Sequence, residues 1–193
     1  EQLSLTDPDA RSMATSGRGT GMVGYNVQAS VDTRHHLIVA HEVTNEGHDR
    51  RQLSNMAVQS RDAMGTGQLD VLADRGYFKG PEILKCVEAG ITPWVPKTMT
   101  SDNKAKGRYD KRDFVYVEAA DEYRCPAGRQ LPYRHSSMED GMRIKSYYTT
   151  TCPTCELKAQ CTTSKERRVR RWEHEGVLDA MQHRLNITPG KMK

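Results

Sequence analysis

The sequence predicts an α/β fold, in which helices flank a mixed sheet and a small cysteine-containing lobe is inserted. Residues Tyr25–Val31 alternate between apolar and polar side chains, and the apolar run Leu37–Ala40 follows after a short link, which predicts an antiparallel hairpin. Two further apolar runs, Leu69–Ala73 and Ile91–Val95, are separated by a segment with helical spacing, which predicts a parallel β-α-β unit. A hairpin followed by such a unit gives a mixed sheet.

Two helices and one more strand are predicted around this sheet. Apolar residues recur at helical spacing after Arg50, and this helix is expected to end near Gly65. Pro81 suits the first turn of a second helix, which ends at Gly90. At the N-terminus, Leu3–Asp7 has the pattern of a short strand that ends in an acid.

The second half of the chain is predicted to hold an insertion and a basic helix. We expect residues 1–96 to form the first part of the core and residues 97–163 to form the cysteine-containing insertion, with strands at Phe114–Val117 and Tyr147–Thr150. A strongly basic helix is expected within residues 164–193, beginning at Ser164.

Composition restricts the class of protein. A chain of 193 residues suits one medium domain, or one domain with an insertion. The net charge of +4 allows a nucleic-acid partner, and no apolar run approaches the ~20 residues of a membrane span. The first residue is Glu1, and we expect an N-terminal part to be missing. Five cysteines and no export signal favour reduced thiols or a metal site over a disulfide framework.

Acidic residues end two of the predicted strands. Asp74 follows the apolar run Val71–Ala73, at the strand end where open α/β sheets place their ligands. It has two interpretations: a turn-former or helix cap, or a metal ligand that needs a partner carboxylate. Asp7 is the candidate partner, with Asp9 as an alternative to it. Mg²⁺ is held in proteins by one or two carboxylates together with substrate phosphates.

Several short motifs occur in an order that resembles a known family. Together they are similar to the catalytic domain of DDE-type transposases of bacterial insertion sequences, in the subgroup that carries a cysteine-containing insertion before the last catalytic helix. The motifs are Thr6–Arg11, Gly24–Gln28, Val43–Asn45 with His48–Asp49, Leu72–Tyr77, Tyr123–Gly128, Cys152–Cys155, Cys161–Thr162 and Arg171–Glu175.

This resemblance implies an RNase H-like fold and metal-dependent cleavage and transfer of DNA strands. Asp7 and Asp74 match the first two catalytic acids of the family and would bind two Mg²⁺ or Mn²⁺ ions. The partners implied are transposon ends and target DNA, in an active homo-oligomer. The implied location is the bacterial cytoplasm, in association with the nucleoid, without a membrane partner.

The third acid of the family is a Glu that follows a Pro-x-x-Met segment. Here Pro189–Lys193 matches that segment and ends the chain, so the resemblance implies C-terminal truncation before the third acid. The chain alone is then expected to be inactive in DNA cleavage. Two other functions stay open: a DNA-binding remnant that does not cut, and a binding module stabilised by zinc.

Four cysteines and a run of basic residues are further candidates. Cys125, Cys152, Cys155 and Cys161 are expected to cluster in a lobe separate from the sheet, either as a tetrahedral zinc site or as free buried thiols. Cys86 is predicted to be a core residue. The basic side chains could follow a DNA backbone or form a solvated helix face; they are Lys165, Arg167, Arg168, Arg170 and Arg171.

Two residues near the acids also have alternative interpretations. His48-Asp49 follows a strand and opens a helix, so Asp49 is predicted to be a helix N-cap, with a role for His48 at the edge of the site as the lesser alternative. Tyr77 could hydrogen-bond near DNA or belong to the core.

Overall fold

The computed structural model describes residues 4–13, 21–98 and 102–192. The contacts within the chain divide it into two units: Glu1–Thr98 with Gly176–Lys193, and Met99–Glu175. The strands are β1 Arg11–Met13, β2 Met22–Gly24, β3 Asn26–Val31, β4 Ile38–Thr44, β5 Leu69–Leu72, β6 Ile91–Trp94, β7 Val115–Val117, β8 Glu122–Arg124, β9 Gln130–Glu139, β10 Met142–Tyr147 and β11 Val169–Trp172. The helices are α1 Leu53–Met64, α2 Gly80–Glu88, α3 Lys158–Cys161 and α4 Glu175–Ile187.

The first unit contains the predicted hairpin and the predicted β-α-β unit. Strands β3 and β4 pair antiparallel, with Asn26 opposite Thr44. Strands β5 and β6 pair in parallel, with Leu69 opposite Ile91, and α2 connects them. Both predictions are confirmed, and this mixed α/β architecture is compatible with the RNase H-like fold. Within the described residues, no helix is long and apolar enough to cross a membrane.

The two predicted helices of this unit begin and end as their sequences indicate. A 3₁₀ turn at Asp49–Arg51 leads into α1, and Gly65 closes α1 in the left-handed conformation at φ 60. Pro81 lies in the first turn of α2, and Gly90 follows this helix at φ 72.

Side chains from α1, α2, β6 and α4 form the core of the first unit. Its buried members are Leu53, Ala57, Ile83, Cys86, Ile91, Val95 and Met181. Each large aliphatic side chain buried here contributes roughly 1.5–3 kcal/mol of transfer free energy. Cys86 is fully buried, and burial raises the pKa of its thiol to about 12, so its assignment to the core is confirmed.

The second unit is a five-stranded antiparallel sheet in the order β11-β10-β9-β8-β7. Three tyrosines pack in its core. The ring centroid of Tyr123 lies 5.1 Å from that of Tyr116 and 5.1 Å from that of Tyr147. The hydroxyls of Tyr116 and Tyr147 both donate to Asp121 Oδ1, at 2.7 and 2.6 Å. A buried tyrosine needs a partner for its hydroxyl, and one carboxylate provides it for two of these rings.

The predicted N-terminal strand is wrong in the part that the structure describes. Residues 4–7 form bends and no strand, while Leu3 lies outside the described residues. The side chain of Leu5 is fully exposed, so it has no sheet face to cover. Instead, Ser4 Oγ accepts a hydrogen bond from the Asp7 backbone N–H at 3.0 Å, and this local bond holds a turn.

The predicted basic helix is also wrong before Glu175. Val169–Trp172 is strand β11, which pairs with β10 and buries Val169 and Trp172. Burial of the Val169 and Trp172 side chains stabilises the strand by more than the intervening arginines would stabilise a helix. The strand predicted at Tyr147–Thr150 is likewise displaced, because β10 ends at Tyr147.

Candidate active site

Asp74 follows β5 and caps the 3₁₀ turn Arg75–Tyr77. Its Oδ1 accepts a hydrogen bond from the backbone N–H of Gly76 at 2.7 Å. A Cβ atom on Gly76 would lie 2.9 Å from that same oxygen, so a side chain at this position would displace the carboxylate. Asp74 is thus a turn-former, and the turn fixes the direction of its carboxylate at the end of β5. Its role as a metal ligand stays a prediction.

Asp49 binds two amide side chains of β3. Its Oδ1 accepts from Asn26 Nδ2 at 2.8 Å and from Gln28 Nε2 at 2.7 Å. His48 occupies the cap position of the 3₁₀ turn, and no side chain caps that turn. The predicted N-cap role of Asp49 is therefore wrong: two amide donors on one face of β3 hold its carboxylate instead.

The carboxylates of Asp49 and Asp74 flank Gly76. A Cβ atom built on Gly76 would lie 3.6 Å from Asp49 Oδ2 and 2.9 Å from Asp74 Oδ1. The pKa of the nearby Tyr77 phenol is raised first by burial and then by the charges of Asp49 and Asp74. The end of β5 and the turn after β4 thus bring two acids to one place.

A hydrogen-bond chain leads from Tyr77 to Asp49. The Tyr77 hydroxyl donates to Gln28 Oε1 at 2.6 Å, which turns the amide nitrogen of Gln28 towards Asp49. That nitrogen also donates to Asn26 Oδ1 at 2.9 Å, and only 2% of Gln28 is exposed. Because Gln28 is buried and bonded on both sides, it holds Asp49 in one orientation.

Asp7 is held by the residue that immediately precedes β3. The Tyr25 hydroxyl donates to Asp7 Oδ1 at 3.0 Å and to Oδ2 at 2.9 Å, and the Asp9 backbone N–H donates to Oδ1 at 3.1 Å. The hydrogen bond to Asp7 is the main reason that the pKa of Tyr25 is raised. Consecutive residues at the start of β3, Tyr25 and Asn26, therefore bind Asp7 and Asp49.

The acids are arranged around β3 and β5 without a ready-made metal cluster. Among residues 4–13, 21–98 and 102–192, no three His, Cys, Asp or Glu side chains are grouped closely enough to hold a metal ion. The structure pairs Asp74 with Asp49, a residue that sequence reasoning treated only as a cap. The alternation of Asn26 and Gln28 on one face of a strand was the signal that an acid could be bound there.

The four cysteines of the second unit line one apolar cavity. Cys125 follows β8, Cys152 begins a 3₁₀ turn that Cys155 follows, and Cys161 ends α3. All four are reduced and half-buried. Burial raises the pKa of the Cys161 thiol, and the other three cysteines raise it further. Their shared cavity places all four in one part of the unit.

The five basic residues divide into exposed and packed side chains. Lys165, Arg168 and Arg170 are exposed, and Arg170 pairs with Glu139. The guanidinium carbon of Arg167 lies 5.2 Å from the Phe114 ring centroid. That of Arg171 lies 3.9 Å from the Tyr116 centroid. That of Arg168 lies 5.1 Å from the Tyr148 centroid, so Arg167, Arg168 and Arg171 all stack on aromatic rings of their own unit.

Comparison with known proteins gives one match. No significant match to a curated protein or to a solved structure was found. A family model described as transposase DDE domain matches residues 3–187, which is nearly the whole chain. The match includes the two acids at Gly76, the Tyr25–Asp7 pair and the sheet of the second unit, and the chain therefore belongs to the transposase DDE-domain family, whose members are enzymes of DNA transposition.

Proposed function

We propose that this domain cleaves DNA strands and transfers them during transposition, with a divalent cation held by Asp7 and Asp74. The observation that carries an acidic site at the end of β5 is the approach of Asp74 and Asp49, which flank Gly76. Asp7 enters the ligand set from the family resemblance. Two carboxylates that are held beside one glycine repel each other, because both carry negative charge. A bound cation removes that repulsion.

The donor set suits Mg²⁺ or Mn²⁺, which prefer carboxylate oxygens. Asp74 and Asp7 would supply ligand oxygens, and Asp49 is an additional acid of the site. When bound, the cation would activate water, and later a DNA 3′-hydroxyl, for attack on a phosphodiester.

The chain's own residues orient these acids. Gly76 N–H fixes Asp74, and the Tyr25 hydroxyl contacts both oxygens of Asp7. Asn26 and Gln28 hold Asp49 by a single oxygen, and Oδ2 is the oxygen that lies beside Gly76. Fixing carboxylates in advance lowers the entropic cost of placing a cation against a scissile phosphate.

Basic side chains of the second unit would hold the DNA backbone. Lys165 and Arg168 are exposed, and they line a surface depression together with Thr162 and Ser164. Exposed cations bind phosphates without reading sequence, and their contribution falls with salt. The same proposal includes a homo-oligomer assembled on transposon ends and target DNA, working at the bacterial nucleoid.

The test is nicking of supercoiled plasmid by the full-length protein in Mn²⁺ or Mg²⁺. We expect metal-dependent nicking that falls by about 100-fold in Asp74→Asn and Asp7→Asn, because loss of a ligand misplaces the cation. Asp70→Asn is the matched control, since Asp70 lies on the same strand and pairs with Lys191 at 2.7 Å. Equal nicking by the wild type and Asp74→Asn would contradict a catalytic role and favour DNA binding without cleavage.

A further inference from the structure

We propose that Cys125, Cys152, Cys155 and Cys161 form a tetrathiolate Zn²⁺ site that stabilises the second unit. Four thiolates around one ion are a common structural zinc centre. The four thiols come from three segments of one unit and line one cavity, whose lining is otherwise mainly apolar. This site is independent of the acids at β5, which lie in the other unit.

Tight turns present three of these cysteines. The Gly128 N–H donates to the Cys125 carbonyl at 2.8 Å, and the Cys125 N–H donates to the Arg129 carbonyl at 3.0 Å. Gly128 adopts φ 72, which closes this turn without strain. In the second turn, the Cys155 N–H donates to the Cys152 carbonyl at 3.1 Å. Cys152 and Cys155 thus have the Cys-x-x-Cys spacing that is common in structural zinc sites.

The charges around the cavity suit a centre with excess negative charge. Four thiolates carry more negative charge than one Zn²⁺ neutralises. Three cationic side chains line the same cavity: Arg129, Lys158 and Arg167. The Nε atom of Arg167 is buried and has no hydrogen-bond partner within the described part of the chain. A buried guanidinium N–H beside four sulfur atoms is an available donor to a thiolate.

Metal binding must draw these turns together. Within the described residues, no three cysteines are already close enough to hold an ion, whereas zinc requires four sulfurs at ~2.3 Å. On binding, each thiol releases its proton to solvent and its sulfur donates an electron pair to Zn²⁺. Four S–H bonds break, four Zn–S bonds form, and nothing is oxidised or reduced. Closure of the cavity on the ion therefore couples metal binding to the stability of this unit.

The experiment measures zinc bound to the full chain, purified under reducing conditions from zinc-supplemented cells. Elemental mass spectrometry should find about one zinc per chain, as expected for one four-coordinate site. Cys152→Ser and Cys161→Ser should each hold no more than about one tenth of the zinc that the wild type holds. Cys86→Ala is the matched control, because Cys86 is the one cysteine that lies in the core of the first unit. Asp74→Asn should also keep its zinc, which separates this proposal from the acidic site.

A second readout does not depend on how well the variants fold. Co²⁺ added to the metal-free wild-type chain should give the strong visible absorption of a tetrahedral thiolate site, together with thiolate-to-cobalt charge transfer. Three results would overturn the proposal: no zinc in a folded wild-type chain, the same zinc content in Cys152→Ser, or disulfides among the four cysteines in the reduced preparation.

Discussion

Gly76 determines how closely the two acids at β5 can approach each other. Its missing side chain leaves room for Asp74 Oδ1, which would lie 2.9 Å from a Cβ atom, and for Asp49 Oδ2 at 3.6 Å. An atom at 2.9 Å cannot stay in place, so the carboxylate would have to move away from its backbone donor. The role of Gly76 is therefore steric, because it leaves space for the two carboxylates. This role is separate from the wider range of backbone conformations that glycine can adopt.

Gly76→Ala should lower metal-dependent nicking by about tenfold or more through displacement of the Asp74 carboxylate. The control is Gly67→Ala, because a Cβ atom at Gly67 would meet nothing within 4 Å. Circular dichroism should show both variants folded. Unchanged activity in Gly76→Ala would mean that the position of the Asp74 carboxylate does not matter for cleavage.

Tyr77 positions Asp49 through Gln28, so Tyr77→Phe removes the hydroxyl that fixes the Gln28 amide. We expect metal affinity to fall by about tenfold, as is usual when an outer residue that orients a ligand is lost. Stability should fall by about 1 kcal/mol for the lost hydrogen bond. Titration with Mn²⁺ and urea unfolding measure the two effects. A loss of stability without a change in metal affinity would make Tyr77 a core residue only.

At the scale of elements, one carboxylate joins three side chains of the second sheet. Asp121 accepts hydrogen bonds from Tyr147, Lys145 and Tyr116, and although burial opposes the effect, these donors lower its pKa to about 2. A carboxyl whose pKa is lowered on folding stabilises the protein above its unfolded value of 3.8. That stabilisation is lost as the pH falls from about 4 to about 2.

Asp121→Asn should therefore destabilise the protein at neutral pH by about 1 kcal/mol, allowing for solvent screening. It should also reduce the loss of stability that the wild type shows as the pH falls from about 4 to about 2. Asparagine tolerates the left-handed backbone at φ 45, so strain does not confuse the result. Asp140→Asn is the control, because Asp140 has a similar φ of 48. Thermal unfolding between pH 2 and 7 makes the measurement. If Asp121→Asn loses as much stability at low pH as the wild type does, this carboxylate does not contribute to acid sensitivity.

The basic residues around β11 divide into exposed cations that are available to DNA and arginines that stabilise the sheet. Lys165→Ala should weaken DNA binding and lower the slope of log affinity against log salt concentration by about one, because Lys165 is exposed. Arg171→Ala should instead lower stability, because its guanidinium stacks on Tyr116 and donates to the Tyr123 hydroxyl at 3.4 Å. Fluorescence anisotropy with duplex DNA at several salt concentrations distinguishes the two. Equal losses of affinity in both variants would contradict this division.

At the scale of the whole molecule, local patterns predicted the regular elements and long-range contacts decided the rest. The alternation in β3 and the spacing in α1 are local signals, and both elements formed as expected. Residues 169–172 are a different case, because pairing with β10 overrides the helical pattern predicted for this basic segment. Tertiary contacts commonly override a weak local preference in this way.

The site was only partly predictable for the same reason. Asp74 ends a strand and could be found from local sequence. Asp49 could not, because its partners Asn26 and Gln28 are more than 20 positions earlier in the chain. The role of Asp7 as a ligand stays a prediction. Its contact with Tyr25 could be identified only when the fold was known, because the loop that carries it is not the strand that its sequence suggested.

The most direct test of the central claim is a titration of the full-length protein with Mn²⁺, in which the relaxation of water protons reports the bound metal. We expect saturable binding of Mn²⁺ that Mg²⁺ displaces and that weakens by at least about tenfold in Asp74→Asn. Asp70→Asn, on the same strand, should bind as the wild type does. Identical Mn²⁺ affinity in the wild type and Asp74→Asn would contradict the claim that the acids at the end of β5 form the metal site of this transposase domain.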